Sequence, residues 1–143
     1  MSRTSFKTHC IEFYADHIQR PSPDVYRLFN ENGLLAMLDD DYEDLHGMST
    51  EYLMHFFDEY LEDIPDMRNM KDNMGHCLIR ATLMPEIIRL IALNYNVSEN
   101  KVLEMFYQSA TAASLYDNET GLYGQSALFI LSEFTEELQQ KKR

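Results

Sequence analysis

No stretch of the sequence approaches the about 18 consecutive apolar residues that a membrane-spanning helix needs. Residues Met1 to His9 lead into no apolar run that could serve as the core of a secretion signal. Cysteine is scarce. Cys10 and Cys77 both fall in apolar-periodic segments, which predicts buried thiols in a reducing cytoplasm and not a disulfide framework. Only five glycines and four prolines punctuate the 143 residues, and alternating β-branched runs are few, so helix is favoured. Tryptophan is missing altogether; nine Met, nine Tyr and eight Phe supply the bulk of a core. A chain of this length buries roughly 70% of its unfolded surface and needs no covalent staple. These absences together predict a soluble, cytoplasmic protein.

Another absence is local. From Leu28 to Met67 there is no Lys or Arg, while twelve Asp or Glu fall between Glu31 and Asp66. Residues 65–143 are nearly balanced, with ten acids against eight bases, although the whole chain carries −12. Such a field repels phosphate backbones and argues against nucleic-acid binding. It serves either as a solvated face or as a docking surface for a basic partner.

Helical periodicity runs through most of the chain. Phe6, Cys10, Phe13, Tyr14, His17 and Ile18 predict a first helix from Ser5 to Gln19 with one apolar face and Ser5 as its N-cap. The prolines at 21 and 23 end it, and Ser22-Pro23-Asp24 restarts a helix capped by Ser22 and stopped at Asn32-Gly33. A short segment runs from Leu34 through Asp39-Asp40-Asp41 to Leu45. Ser49 or Thr50 then caps a helix whose stripe, Tyr52, Leu53, Phe56, Phe57, Tyr60, Leu61 and Ile64, is expected inward. Pro65 ends that helix, and 66–75 reads as a polar connector that is mobile or weakly helical. His76 to Met84 looks helical, with Pro85 kinking it or starting the next. Asn96 closes that helix and Ser98 caps another carrying Val102, Met105 and Phe106. Asp117 to Gly121 forms a turn, and Ser126 caps a last helix with Phe129, Ile130, Phe134 and Leu138 inward.

The junction Leu45-His46-Gly47-Met48-Ser49 returns as Leu122-Tyr123-Gly124-Gln125-Ser126. A shift of 77 positions lays Ile11 on Ile88, Val25 on Val102, Phe29 on Phe106, Leu38 on Leu115 and Phe57 on Phe134 without a gap. About a quarter of positions 11–61 are identical in this register, mostly at core or turn sites, as a duplicated unit would show. A unit of about fifty residues struggles to bury its own apolar faces. The expected architecture is therefore an all-α helical bundle of two tandem, roughly four-helix copies related by a pseudo-two-fold axis. The first copy is 1–64 and acidic, the connector 65–75 and the second copy 76–143, with one shared core.

Catalytic apparatus is hard to find. Asp39, Asp41 and Glu43 suggest a calcium loop, but the sixth and twelfth positions hold Asp44 and Thr50 where Gly and Glu are needed. Glu51, His55 and Glu59 lie one turn apart, yet no Glu-x-x-His pairs accompany them, and a solvated face explains them. The five histidines have no nucleophile context and no phosphate loop is present, so no enzyme, metal or cofactor is expected. The junctions remain, as structural turns or as partner-binding knobs of aromatic and polar groups. The candidate partner-binding residues are Asp39, Asp40, Asp41, Tyr42, Glu43, His46 and Glu51 in the first half, with Asp117, Thr120, Tyr123 and Gln125 in the second.

Residues 9–62 resemble a family of small bacterial helical domains of unknown function, through Cys10-Ile11-Glu12-Phe13-Tyr14, Pro23-Asp24-Val25-Tyr26-Arg27-Leu28-Phe29, Asn32-Gly33-Leu34, Tyr42-Glu43-Asp44-Leu45-His46 and Glu51-Tyr52-Leu53. The departure is Asp39-Asp40-Asp41, where the family pattern is more apolar. Residues 87–138 are similar to a second, related set through the stretch from Leu115 to Ser126. Genes of both kinds tend to lie beside one another and beside a gene for a protein resembling ADP-ribosyltransferase toxins. The resemblance thus implies an antitoxin or accessory subunit that neutralises such a toxin, and it assigns no residue a role. The expected function is a non-enzymatic protein-binding module whose acidic face docks a basic surface. The alternative is a scaffold acting by homo-oligomerisation.

Overall fold

The computed structural model describes residues 2–61 and 77–141, which hold helices and turns and no strand. The expected all-α bundle is what is observed. Its helices are α1 (Arg3–Ile18), α2 (Ser22–Glu31), α3 (Leu34–Asp40), α4 (Tyr42–Leu45) and α5 (Thr50–Tyr60), followed by α6 (Cys77–Tyr95), α7 (Glu99–Tyr107), α8 (Ala110–Tyr116) and α9 (Ala127–Lys141). Two 3-10 turns, Asn118–Thr120 and Leu122–Gly124, link α8 to α9. The connector 65–75, Ile64 with Pro65, the Cys77 side chain and the basic end at 142–143 lie outside the described residues.

Helices α1 and α6 pack on each other at the centre, flanked by α5 on α1 and α9 on α6. The sequence predicts one apolar face for α1, but the helix is covered nearly all round. Phe6, Cys10, Ile11 and Tyr14 are buried, and so are Thr4, Lys7, Thr8, Glu12 and Ala15 on its other sides. A helix enclosed in this way is an interior element, and its polar groups need partners in the protein. From α6, Met84, Ile87, Ile88 and Ile91 are buried. Burying each contributes roughly 1.5–3 kcal/mol, enough together to outweigh the about 3 kcal/mol cost of a proline in a helix interior. Pro85 therefore neither breaks α6 nor starts a new helix.

Several boundaries differ from expectation. Ser2, not Ser5, caps α1, accepting the Ser5 N–H, so the helix begins two residues earlier. Ser22 does not cap α2, because its hydroxyl donates to Glu12 at 2.7 Å and is held away from the helix end. The segment 34–45 breaks at Asp41 into α3 and α4. Ser49, Ser98 and Ser126 do cap, accepting the N–H of Tyr52, Lys101 and Phe129. Gly33 ends α2 at φ 74, a left-handed turn that costs glycine little.

Many local features recur 77 positions apart. Among the described residues, the non-glycine positions with positive φ are Gln19 (57) and Asn96 (56), each just past the end of a central helix. Beyond them, Arg20 N–H donates to Ala15 O at 3.0 Å, and Val97 N–H to Ala92 O at 3.2 Å. Phe29 meets Phe57 with ring centroids 5.0 Å apart, and Phe106 meets Phe134 at 5.4 Å. Arg3 Nε donates to Asp39 O, and Arg80 Nη2 to Tyr116 O.

Candidate protein-docking surface

The first junction is built on Tyr42. Its ring is buried, with Phe6 edge-on at 5.7 Å and the Arg3 guanidinium over it, 5.0 Å from the centroid. His46 stacks on the same ring at 4.3 Å and 7°, and its Nδ1 donates to Tyr42 O at 2.6 Å. The imidazole is thus exposed but fixed in place. Of the candidate residues here, Tyr42 is core and serves to position His46. Asp39 is half-buried and bound to Lys7 Nζ at 3.0 Å. Asp40, Asp41, Glu43 and Glu51 are exposed and form no ion pair among the described residues, and Asp44 joins them.

Beyond the junction, α5 turns only part of its apolar stripe inward. Leu53, Met54, Phe57 and Leu61 are buried, whereas Tyr52 and Tyr60 are each 48% exposed and Phe56 is half-buried. Those three rings follow one another along the outer face at centroid distances of 6.5 and 6.3 Å. Tyr60 OH donates to Asn32 O at 3.3 Å, which ties the ladder to the end of α2. Beside the ladder, offset by one position in sequence, run Glu51, His55 and Glu59, with His55 Nε2 and Glu59 3.0 Å apart. Met48, 43% exposed, extends the apolar surface into the junction. Helical periodicity located this stripe but could not show that its outer edge stays uncovered.

The second junction has a different character. Asp117 accepts the Glu119 N–H at 3.0 Å, and Thr120 Oγ1 donates to Ser114 O at 2.5 Å, so both stabilise the turn. Gly121 takes the left-handed conformation at φ 72. Tyr123 is half-buried and Gln125 exposed. This junction packs on α6 and α8, whereas α4 packs on α3, so the two sets of candidates rest on different neighbours. Phe129, expected inward, is 42% exposed, while Ile130 and Phe134 are fully buried.

A polar cluster lies between the halves. Glu12 is 3% exposed and accepts hydrogen bonds from Ser22 Oγ at 2.7 Å and Tyr107 OH at 2.8 Å. Arg80, also 3% exposed, supplies a nearby positive charge and donates to Leu115 O and Tyr116 O at 3.1 and 2.7 Å. Burial pushes the Glu12 carboxyl up, opposed by these two hydrogen bonds and by Arg80. The same burial, reinforced by Glu12, raises the Tyr107 phenol. Tyr107 in turn stacks on Tyr26 at 5.2 Å and 11°. Nearer the α1 N-terminus, Lys7 bonds both Asp39 and Asn100, tying α1 to α3 and α7. The void beside Glu12, Ser22, Arg80 and Tyr107 is about 10 Å³, room for a single water at most. The cluster is a structural clasp and not a ligand site. Its one advance signal is the small-residue row Thr4, Thr8 and Ala15 flanking Glu12, which allows a close helix approach.

Cys10 is a buried free thiol whose pKa burial raises, so it is not poised as a nucleophile. Among the described residues, no group of three His, Cys, Asp or Glu is arranged to hold a metal, and no helix is long and apolar enough to cross a membrane. Residues 5–63 match the model of a family described as a protein of unknown function, DUF3791. The match spans α1 to α5, agreeing with the resemblance seen over 9–62, and does not extend into the second half. No curated protein and no solved structure matches the chain.

Proposed function

We propose that this chain is a non-enzymatic protein-binding module that docks a basic partner through the α4–α5 surface of its first half. The observation that carries this reading is the exposed ladder Tyr52, Phe56 and Tyr60, lying directly beside Glu51 and Glu59. Across the junction stand Asp40, Asp41, Glu43 and Asp44, exposed and without ion-pair partners among the described residues. Exposed aromatics supply contact area at small entropic cost, and unpaired carboxylates supply long-range attraction and a fast, salt-sensitive on-rate. The partner we favour is an ADP-ribosyltransferase-type toxin, with this chain as its antitoxin-like neutraliser, on the strength of the family resemblance. We also infer that the halves are two copies of one unit, supported by the features that recur 77 positions apart, and that the copies diverged at their surfaces.

Co-expression and pull-down with the product of a neighbouring toxin-like gene tests the reading. A complex should form at low salt and weaken when Asp40, Asp41, Glu43 and Asp44 are changed to lysine. Absence of any complex at low salt would sink it. A second reading, homo-oligomerisation, is favoured by one observation: Leu93, Leu128 and Phe129 of the second half are 69%, 66% and 42% exposed. Light scattering separates the two, since a stable dimer indifferent to the toxin-like protein supports the scaffold role.

A further inference from the structure

We propose that the α5 ladder seats a single amphipathic helix of the partner, with an aliphatic stripe on the rings and an adjoining arginine-rich stripe over Glu51 and Glu59. This rests on the docking reading above and adds what the docked segment is. The ladder rings repeat at 6.5 and 6.3 Å. Side chains at i and i+4 of a helix repeat at about 6 Å along its axis, so an aliphatic row can interleave with the rings. A β-strand repeats its same-face side chains at a similar distance, about 6.6 Å, so spacing alone does not choose between them. Backbone chemistry does. α5 is a helix with its own backbone bonds closed and offers no edge to pair with. A strand laid on the rings would bury N–H and C=O groups without partners, whereas a helix satisfies its own.

Charge fixes the composition and the orientation. Glu51 and Glu59 form a row along one side of the ladder, with His55 between them 3.0 Å from Glu59, and the sequence from Leu28 to Met67 places no lysine or arginine to answer them. A cationic stripe on the incoming helix does so. Arginine suits the site better than lysine, because its flat guanidinium pairs with carboxylates and also stacks on aromatic faces. The chain itself uses that contact, with Arg3 over Tyr42 at 5.0 Å and Arg80 over Tyr116 at 4.9 Å. From Tyr52 to Tyr60 the ladder spans about 12 Å, a little over two turns, so a docked helix of about four turns covers it with margin.

The test uses the full chain and a synthetic 18-residue peptide with leucines at i, i+4 spacing, an adjoining arginine stripe and one tryptophan among the leucines. The chain contains no tryptophan, so the fluorescence shift belongs to the peptide alone. A scrambled peptide of the same composition, lacking the stripe, is the control. The striped peptide should bind at least about tenfold more tightly than the scrambled one. Tyr52→Ser with Tyr60→Ser, and separately Glu51→Lys with Glu59→Lys, should each weaken it by about tenfold or more, with circular dichroism unchanged. Equal binding of the two peptides, no binding of either, or full affinity in the tyrosine variant would overturn the proposal. If the basic partner is still captured by the Tyr52→Ser, Tyr60→Ser chain, the helix seat falls and the docking reading stands. If the striped peptide binds as expected but no basic partner is captured, the reverse holds.

Discussion

Along the outer face of α5 the side chains are Tyr52, Phe56 and Tyr60; at the positions 77 later, α9 carries Phe129, Glu133 and Glu137. In the first half the last of these rings reaches Asn32 at the end of α2. In the second half Glu137 caps α8 instead, accepting from Ala110 N–H, Thr111 N–H and Thr111 Oγ1 at 3.0, 2.8 and 2.6 Å. The adjoining row changes only in part, since Glu59 keeps its charge as Glu136. Glu51 and Asp58 correspond to Leu128 and Thr135, and Asp16 of α1 corresponds to Leu93 of α6. Asp58 is engaged by His17 and Tyr14 at 2.8 and 3.0 Å, while Leu93 and Leu128 stand exposed. The cores, in contrast, agree. Val25 and Val102, Phe29 and Phe106, Phe57 and Phe134 are all fully buried. The contrast between the halves therefore lies on their surfaces, where changes cost little stability.

That comparison can be broken most forcefully at the aromatic core. Phe29→Ala and Phe106→Ala should each cost about 3–5 kcal/mol and agree within about 1 kcal/mol, measured by urea unfolding. A tolerated change at one site with collapse at the other would show that the halves do not carry equivalent cores. The two arginines should differ sharply. Arg80→Ala removes the charge facing buried Glu12 and strands two carbonyls, for about 3–5 kcal/mol, while exposed Arg3→Ala should cost about 1 kcal/mol or less.

Glu12 should also leave a mark on pH dependence. Its folded pKa is raised, chiefly by burial, above the unfolded value of about 4.3. Below that value the carboxyl is neutral in both states. As pH rises toward the folded pKa, the unfolded chain gives up the proton first, so stability falls until the folded pKa is passed. The stability of wild type relative to Glu12→Gln should therefore decline as pH rises from about 4, and a flat difference would refute the shift. The caps should again agree: Ser49→Ala and Ser126→Ala are each expected to cost about 1 kcal/mol in thermal or urea unfolding. Smallest of all, Tyr52→Ser and Leu128→Ser should each change stability by less than about 0.5 kcal/mol, which leaves them free to report on binding.

Most of the fold was legible because it rests on local rules. Ser49, Ser98 and Ser126 read as caps because a hydroxyl before an apolar run meets the free N–H groups of a helix start. Gly33 read as a stop because few other residues take φ 74 without cost. The misread helix faces have one source. Periodicity measures how wide an apolar arc is, and it does not say how many neighbours cover it. The Tyr52–Phe56–Tyr60 edge of α5 and Phe129 of α9 lie beyond what their neighbours cover, so residues expected inward stand in solvent. On α1 the error ran the other way: α6, α5, α2 and α3 all pack against it, and even Lys7 and Glu12 are enclosed.

The candidate surface was half legible. The absence of lysine and arginine from Leu28 to Met67 drew attention to Asp40, Asp41, Glu43 and Glu51, and these stand exposed. Asp39 and Tyr42 read as surface residues too, yet one is tied to Lys7 and the other lies under Arg3 and His46. Their partners lie far away along the chain, where no spacing rule reaches. By itself the sequence determined the helices, most of their caps and turns and the acidic bias of the first half, since all follow from short-range order and composition. Only the tertiary structure decided that Glu12 meets Tyr107 across the two halves, and that one edge of α5 remains open. Both depend on which helices pack side by side, and that is a property of the whole chain.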